Sequence, residues 1–521
     1  MMHGYTAGIR QYNTHRELAG WGGLASPQTD AVRLDAIIVP GTRPAAYLDH
    51  AVTLARAAQC SLLILCSQHL HGSDVKEYLA ARLFSDAIVI DLPSRYSHPL
   101  FEFRGLHDIK DQLPPGCDYL TDLSLKRNIG LVLAKMLGWQ RVFFLDDDIR
   151  DISYPDLQRT VDMLESFSAV GMRVTDFPDN SIVCHANRIN GGVQDVFVSG
   201  AALAVDCNNH IGFFPSIYNE DWFFFFDAAS KGRLCNSYLE ATQLAYYPFT
   251  KPERAAWQEF GDVLAEGLYA LLHLHMDVRQ ATSDYWAFFL EERRSFLEDT
   301  LSRAGAAPHE MRDEIIASLH SALKCLSKIT PDLCARYVKA WRQDLQDWER
   351  RWAAVPVASS VAEALAQLGL PASVDTPKRL VHPQDRPVLP PKPVPTAIPP
   401  SEALRNLAER LTPRVLDQRR STKRSAVGHE PGRHRRRTRA ISAVQASGLF
   451  STLLISVVYC HFITMRKFSV RRMSMHPSGG QNRSALSRRP DGWPCSSAEE
   501  GAVRGETRGR SVTETVDVGR R

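Results

Sequence analysis

The chain contains no Cys-x-x-Cys pair, no internal repeat, no glycine-rich loop ahead of its first apolar run and no apolar stretch at its N-terminus. Each absence excludes something. The 10 cysteines are scattered, which argues against a structural zinc site and against the disulfide framework of a small secreted protein. Buried thiols in a reducing cytoplasm are expected instead. The opening residues, MMHGYTAGIRQYNTHRELAG, offer no hydrophobic segment for a signal peptide, so the main domain is expected in the cytoplasm. Only Gly448 to Met465, GLFSTLLISVVYCHFITM, approaches a membrane helix in length, for which about 20 apolar residues are needed. It contains His461, and Arg439, Arg466 and Lys467 flank it, as interface anchors would. Membrane association through residues 448–465 is one expectation; a buried segment or tail sequence without a folded role is the other.

What is present is unevenly distributed. An apolar fraction of 44% suits an ordinary buried core. The net charge of +4 hides an asymmetry: residues 401–521 hold 24 Lys and Arg against 10 Asp and Glu, which leaves the first 400 residues at −10. A basic tail can bind nucleic acid, anionic lipid or nothing in particular; an anionic membrane surface is the candidate partner, and no specific nucleic acid is expected. Residues 1–32 read as a loose leader, 33–250 as an α/β domain and 251–372 as a helical extension packed on it. Residues 373–446 read as a Pro-rich and then Arg-rich linker, 447–466 as the membrane-helix candidate and 467–521 as a disordered basic tail.

Within the α/β region, short apolar runs at Asp35–Pro40, Ser61–Cys66 and Ala87–Asp91 alternate with helical stretches such as Leu48, Val52 and Ala55. Buried strands separated by helices predict a mainly parallel sheet with helices on both faces. The clearest helix starts near Ser124, carries Ile129, Val132, Leu133 and Met136 on one face, and stops at Gly138. The strand Val142–Leu145 follows and runs into Asp146, Asp147 and Asp148; a helix with Leu157, Val161 and Leu164 on one face comes next. Val196–Gly200 and Ala201–Val205 read as strand segments broken at a glycine.

Three aspartates at a strand end lie where open α/β sheets bind ligands. Crowded carboxylates repel unless a cation shares them, and Mn²⁺ or Mg²⁺ bridging carboxylates and a diphosphate resolves the conflict. The competing reading is a solvated turn in which Asp148 or Asp151 caps the next helix. Lys126, Arg127 and Asn128 open the preceding helix, where basic groups and free N–H donors suit an anion. Asn219-Glu220-Asp221-Trp222 precedes the aromatic run Phe223–Phe226. A carboxylate there can serve as general base beside aromatic rings on which a sugar stacks.

The ordered set of Lys-Arg-Asn helix, Phe-Leu-Asp-Asp-Asp, Ser-Gly-Ala and Asn-Glu-Asp-Trp resembles the GT-A glycosyltransferases, most of all inverting family 2, over roughly residues 34–250. The resemblance implies a GT-A fold and metal-dependent transfer from a nucleotide-diphosphate sugar to an acceptor hydroxyl that the sequence does not identify (on a saccharide, lipid or small molecule). It implies that Asp146 touches the nucleoside and, with Asp148, belongs to the metal site; that Asp147, Arg127 and Asn128 lie at the nucleotide; and that Thr42 and Arg43 line base and ribose. Gly200, Ala201 and Trp222 would face the acceptor, and Asp221, with Glu220 beside it, would be the catalytic base. The second strand ends Cys66-Ser67-Gln68, where the family usually has an acidic pair, and only His210, His273 and His275 stand as candidates for a histidine metal ligand. A sugar-phosphate nucleotidyltransferase, to whose phosphate loop Gly41-Thr42-Arg43 bears some similarity, a haloacid-dehalogenase-type phosphatase, and a non-catalytic GT-A domain that binds sugar nucleotide or a partner are the alternatives.

Overall fold

A computed structural model describes residues 15, 18–21, 32–113, 122–176, 181–193, 197–209 and 212–371. Nine strands form one sheet among them: β1 (Gly20–Trp21), β2 (Ala36–Gly41), β3 (Ser61–Cys66), β4 (Ala87–Asp91), β5 (Arg141–Leu145), β6 (Ile149–Arg150), β7 (Ala169–Thr175), β8 (Ala202–Asp206) and β9 (Leu234–Gln243). Their order is β1-β9-β7-β8-β5-β2-β3-β4, with β6 added beside β9. The neighbours pair in parallel except that β8 runs against β5 and β7, and β6 against β9. The expected mainly parallel sheet is therefore observed.

Alternation along the strands makes two apolar layers, since successive side chains point to opposite faces. Ile37, Val39, Leu62, Ile64, Phe143 and Leu145 face one layer, closed by α1 (Asp49–Ala58), α2 (Gly72–Ala81) and α5 (Tyr154–Asp162). Ile38, Leu63, Leu65, Val142 and Phe144 face the other. Helices α3 (Arg104–Lys110) and α4 (Leu123–Met136) lie in that second layer, with α6 (Ile182–Ile189), α7 (Glu220–Phe224), α8 (Phe226–Ser230), α9 (Glu253–His273), α10 (Ser283–Ala306), α11 (Arg312–Leu326), α12 (Pro331–Ala354) and α13 (Val361–Gln367). The helices beyond residue 250 thus share one apolar cluster with the sheet.

Helix boundaries follow local chemistry. Ser153 accepts from Asp156 N at 3.2 Å and caps α5, with Pro155 in the first turn; the aspartates at 146–148 are not its caps. Gly138 closes α4 at φ +68°, a backbone state that costs glycine little.

Three expectations are corrected. The leader is not loose throughout: His15 is fully buried and Gly20–Trp21 pairs with β9, because β9 offers an open parallel edge. Residues 197–199 are not strand; the strand starts at Ala202, because Val198 N and Gly200 N are spent on the side chains of His15 and Asp221. Phe223–Phe226 form no exposed platform. All four are buried, with Phe223 and Phe226 edge-on to Trp341 of α12.

No helix among the described residues is long and apolar enough to cross a membrane. The Pro-rich and Arg-rich stretches, residues 448–465 and the basic tail lie outside the described residues, as does His210.

Candidate active site

From β2 the chain winds one way through β3 and β4, whereas β5 lies on the other side of β2. The winding reverses between β2 and β5, and at such a switch point the loops leaving the carboxyl ends part to form a ligand crevice. Thr42 and Arg43 leave β2 there, and Asp146, Asp147 and Asp148 leave β5.

The two loops are locked together by Asp147. Its Oδ2 accepts from Thr42 N at 2.7 Å and from Arg43 N at 2.9 Å, and its Oδ1 takes the Arg43 guanidinium. Arg43 also reaches Asp148 Oδ2 at 2.9 Å. With its side chain only 3% exposed, Asp147 is a strut between loops. In this structure the Asp147 carboxylate is met by Thr42 and Arg43 alone among the side-chain and backbone donors described.

Arg127 of α4 is fully enclosed. Its Nη2 donates to Asp146 Oδ1 and Oδ2 at 2.9 and 3.1 Å, and its Nη1 donates to Glu220 Oε1 at 2.5 Å. Lys126 is equally buried and donates from Nζ to Gly41 O at 2.7 Å and Ser67 Oγ at 2.6 Å, pinning the ends of β2 and β3. Asn128 is paired in both directions with the Phe214 backbone, at 2.8 Å each way. The expected anion-binding helix start is thus corrected: the polar side chains of Lys126, Arg127 and Asn128 all bind protein groups, because α4 is buried on nearly every side.

The Asn219–Trp222 segment folds back over the end of β5. Asp221 Oδ2 accepts from Gly200 N at 2.7 Å, and the adjoining Ala201 carbonyl accepts from Asp146 N at 2.9 Å. A methyl group on Gly200 would lie 2.9 Å from Arg127 Nη1 and 2.9 Å from Asp221 Cβ, so glycine permits this approach. Trp222 is 1% exposed and packs on His15 and Tyr269. Its expected acceptor-facing role is corrected to a core one.

Five carboxylates, Asp146, Asp147, Asp148, Glu220 and Asp221, are met by two guanidiniums, those of Arg43 and Arg127. The excess of negative charge has a cost, and protons relieve part of it. Burial pushes Asp146 up to about 6 and Glu220 up to about 7, against the opposing pull of Arg127. Burial also raises Asp221, offset by Arg127 and by the Gly200 and Trp222 amides. Arg127 stays charged, because the neighbouring acids outweigh its burial.

Sequence reading missed Gln243. It ends β9, donates to Asp148 Oδ2 at 3.2 Å, and is followed by Leu244, whose N–H donates to Asp148 O at 2.9 Å. Nothing in LCNSYLEATQ marks it; only strand order brings it to the site. A cavity of about 830 Å³ opens at the ends of β3 and β4, lined in part by Ser67, Gln68, Asp91, Tyr96 and Asp122. Neither His273 nor His275 joins the aspartates: among the described residues no group of three or more His, Cys, Asp or Glu is arranged to hold a metal. No family model matches this chain, and comparison with characterised proteins returns no match.

Proposed function

We propose that the chain is a metal-dependent glycosyltransferase of the GT-A type, most like family 2, moving a sugar from a nucleotide-diphosphate sugar to an acceptor hydroxyl. The observation that carries the reading is the Arg127 bridge. One buried guanidinium ties Asp146, at the end of β5, to Glu220, whose neighbour Asp221 bonds Gly200. Segments far apart in sequence meet at the switch point of the sheet, where nucleotides bind in open α/β folds.

Carboxylates outnumber the guanidiniums that face them, a charge balance that a hard divalent ion such as Mn²⁺ or Mg²⁺ would offset. Asp148 and Asp146 would hold it, phosphate and water oxygens would complete its shell, and it would neutralise charge developing on the diphosphate. Arg43, with its side chain 42% exposed, lines the nucleotide side with Thr42. Arg127 acts through Asp146 and Glu220, since it is sealed from the crevice. Asp221 takes the acceptor proton as the new bond forms; a carboxylate raised by burial is a better base than an exposed one.

Thermal shift against UDP-, GDP- and dTDP-sugars with and without Mn²⁺ tests the reading, followed by transfer assays with the donor that stabilises. Asp148→Asn is expected to abolish Mn²⁺-dependent nucleotide binding in calorimetry while the fold persists. Asp221→Asn is expected to lower kcat by ~10²–10⁴ with nucleotide affinity unchanged. No stabilisation by any donor, or near-normal transfer by Asp221→Asn, would count against it.

A further inference from the structure

Helix α9 carries a charge cluster that the reaction above does not use. Glu259, Asp262 and Glu266 recur at helical spacing on one face and converge on Arg293 of α10, all four fully buried. Arg293 grips Glu259 through Nε at 2.9 Å and Nη2 at 2.8 Å, Asp262 through Nη2 at 2.9 Å and Glu266 through Nη1 at 2.9 Å. Three buried carboxylates around one guanidinium are an expensive way to join two helices, since apolar packing does that at lower cost.

Two members also bond outside the cluster: Glu266 Oε1 accepts from Cys184 Sγ at 3.4 Å, and Asp262 reaches the candidate site. The second oxygen of Asp262 accepts from Asn219 Nδ2 at 2.8 Å. Asn219 stands at φ +60°, directly before Glu220, and makes no side-chain cap to its own helix. Two further contacts bracket the segment. Tyr269 Oη donates to Trp222 O at 3.0 Å, and a methyl group at Gly261 would come within 2.3 Å of Tyr218 O. Helix α9 therefore holds residues 218, 219 and 222 and leaves Glu220 and Asp221, between them, facing Arg127 and Gly200.

We infer that the Arg293 cluster positions the Glu220–Asp221 carboxylates, with Asp262 and Asn219 as the link, so that the helical part of the chain belongs to the reaction centre. This rests on the proposed role of Asp221. Asn219 is a positioning residue: it reaches the chemistry only through the backbone that it fixes.

Arg293→Met strands three buried carboxylates and is expected to cost the fold, so the test uses Asn219→Gly, which keeps the left-handed backbone and removes the link. In the full chain, with the donor identified by thermal shift, kcat is expected to fall ~10–10²-fold, as misplacement of a reacting group does, with donor KM unchanged. Hydrogen exchange is expected to quicken at the amides of 219–222 and not along α9. Wild-type kcat in the variant, a loss carried by KM, or exchange quickened throughout α9 would overturn the inference. If the wild-type protein turns over no sugar nucleotide, the proposed function fails and exchange alone decides: faster exchange confined to 219–222 supports the positioning link, and unchanged exchange overturns it.

Discussion

Arg127→Met removes the charge that joins the two halves of the site and leaves a side chain of similar length. The bonds lost are those to Asp146 at 2.9 and 3.1 Å and to Glu220 at 2.5 Å. Breaking a buried ion pair from one side costs ~3–5 kcal/mol when the stranded partner stays ionised. Here the partners need not stay ionised. Asp146 sits at about 6 and Glu220 at about 7 even with Arg127 lowering both, and both rise further without it. At pH 5 the variant holds neutral carboxyls, and the loss shrinks to that of imperfectly paired neutral groups, ~1–3 kcal/mol. The sign in the parent protein follows the same linkage. Both carboxyls bind protons more tightly folded than unfolded, so their contribution to stability is fully present at low pH. It is lost as pH rises from the unfolded values of 3.8 and 4.5 through the folded values of about 6 and about 7. Urea unfolding at pH 5 and pH 8, followed by far-UV circular dichroism and tryptophan fluorescence, measures both effects. An equal loss at the two pH values, or a larger one at pH 5, would refute the argument.

Gly200→Ala drives a methyl into Arg127 and Asp221, so it is expected to cost ~1–3 kcal/mol as overpacking does and to lower transfer, read by urea midpoint and initial rate. A chain ending at Pro371 retains every described strand and helix; it is expected to unfold cooperatively by circular dichroism and to keep nucleotide binding, and an unfolded product would make the remainder part of the core. The Asp148→Asn and Asp221→Asn variants complete the set, with calorimetry and kcat as their readouts.

The parts legible in the sequence were those in which local pattern and tertiary role coincide. Short apolar runs at 61–66 and 87–91 form buried strands, the first inside the sheet and the second at its edge. The aspartates stood out because three carboxylates at a strand end demand an explanation. Polar residues whose partners lie far away were misread. Lys126, Arg127 and Asn128 look like a solvent-facing helix start until Gly41, Glu220 and Phe214 are placed around them. Trp222 reads as a binding aromatic and is core, because His15 and Tyr269 cover it. Strand β9 escaped notice since its unbroken buried run covers only its first four residues and it turns polar beyond; with it went Gln243. The Arg293 cluster was invisible for the same reason, as charged residues on a helix ordinarily mark its wet face.

The edge pairing of β1 with β9 has a consequence for biosynthesis. Gly20 and Trp21 register against Cys235 and Asn236, and His15 packs on Trp222 and Tyr269. At synthesis rates of about 5–20 residues per second, those partners are made roughly 10–50 s after the residues they receive. Throughout that interval Gly20 and Trp21 lack their strand partner, and Asn219 gains its partner Asp262 only when α9 has been made. The order of emergence thus leaves β1 waiting for the strand that receives it, since its partners Cys235 and Asn236 are made some two hundred residues later.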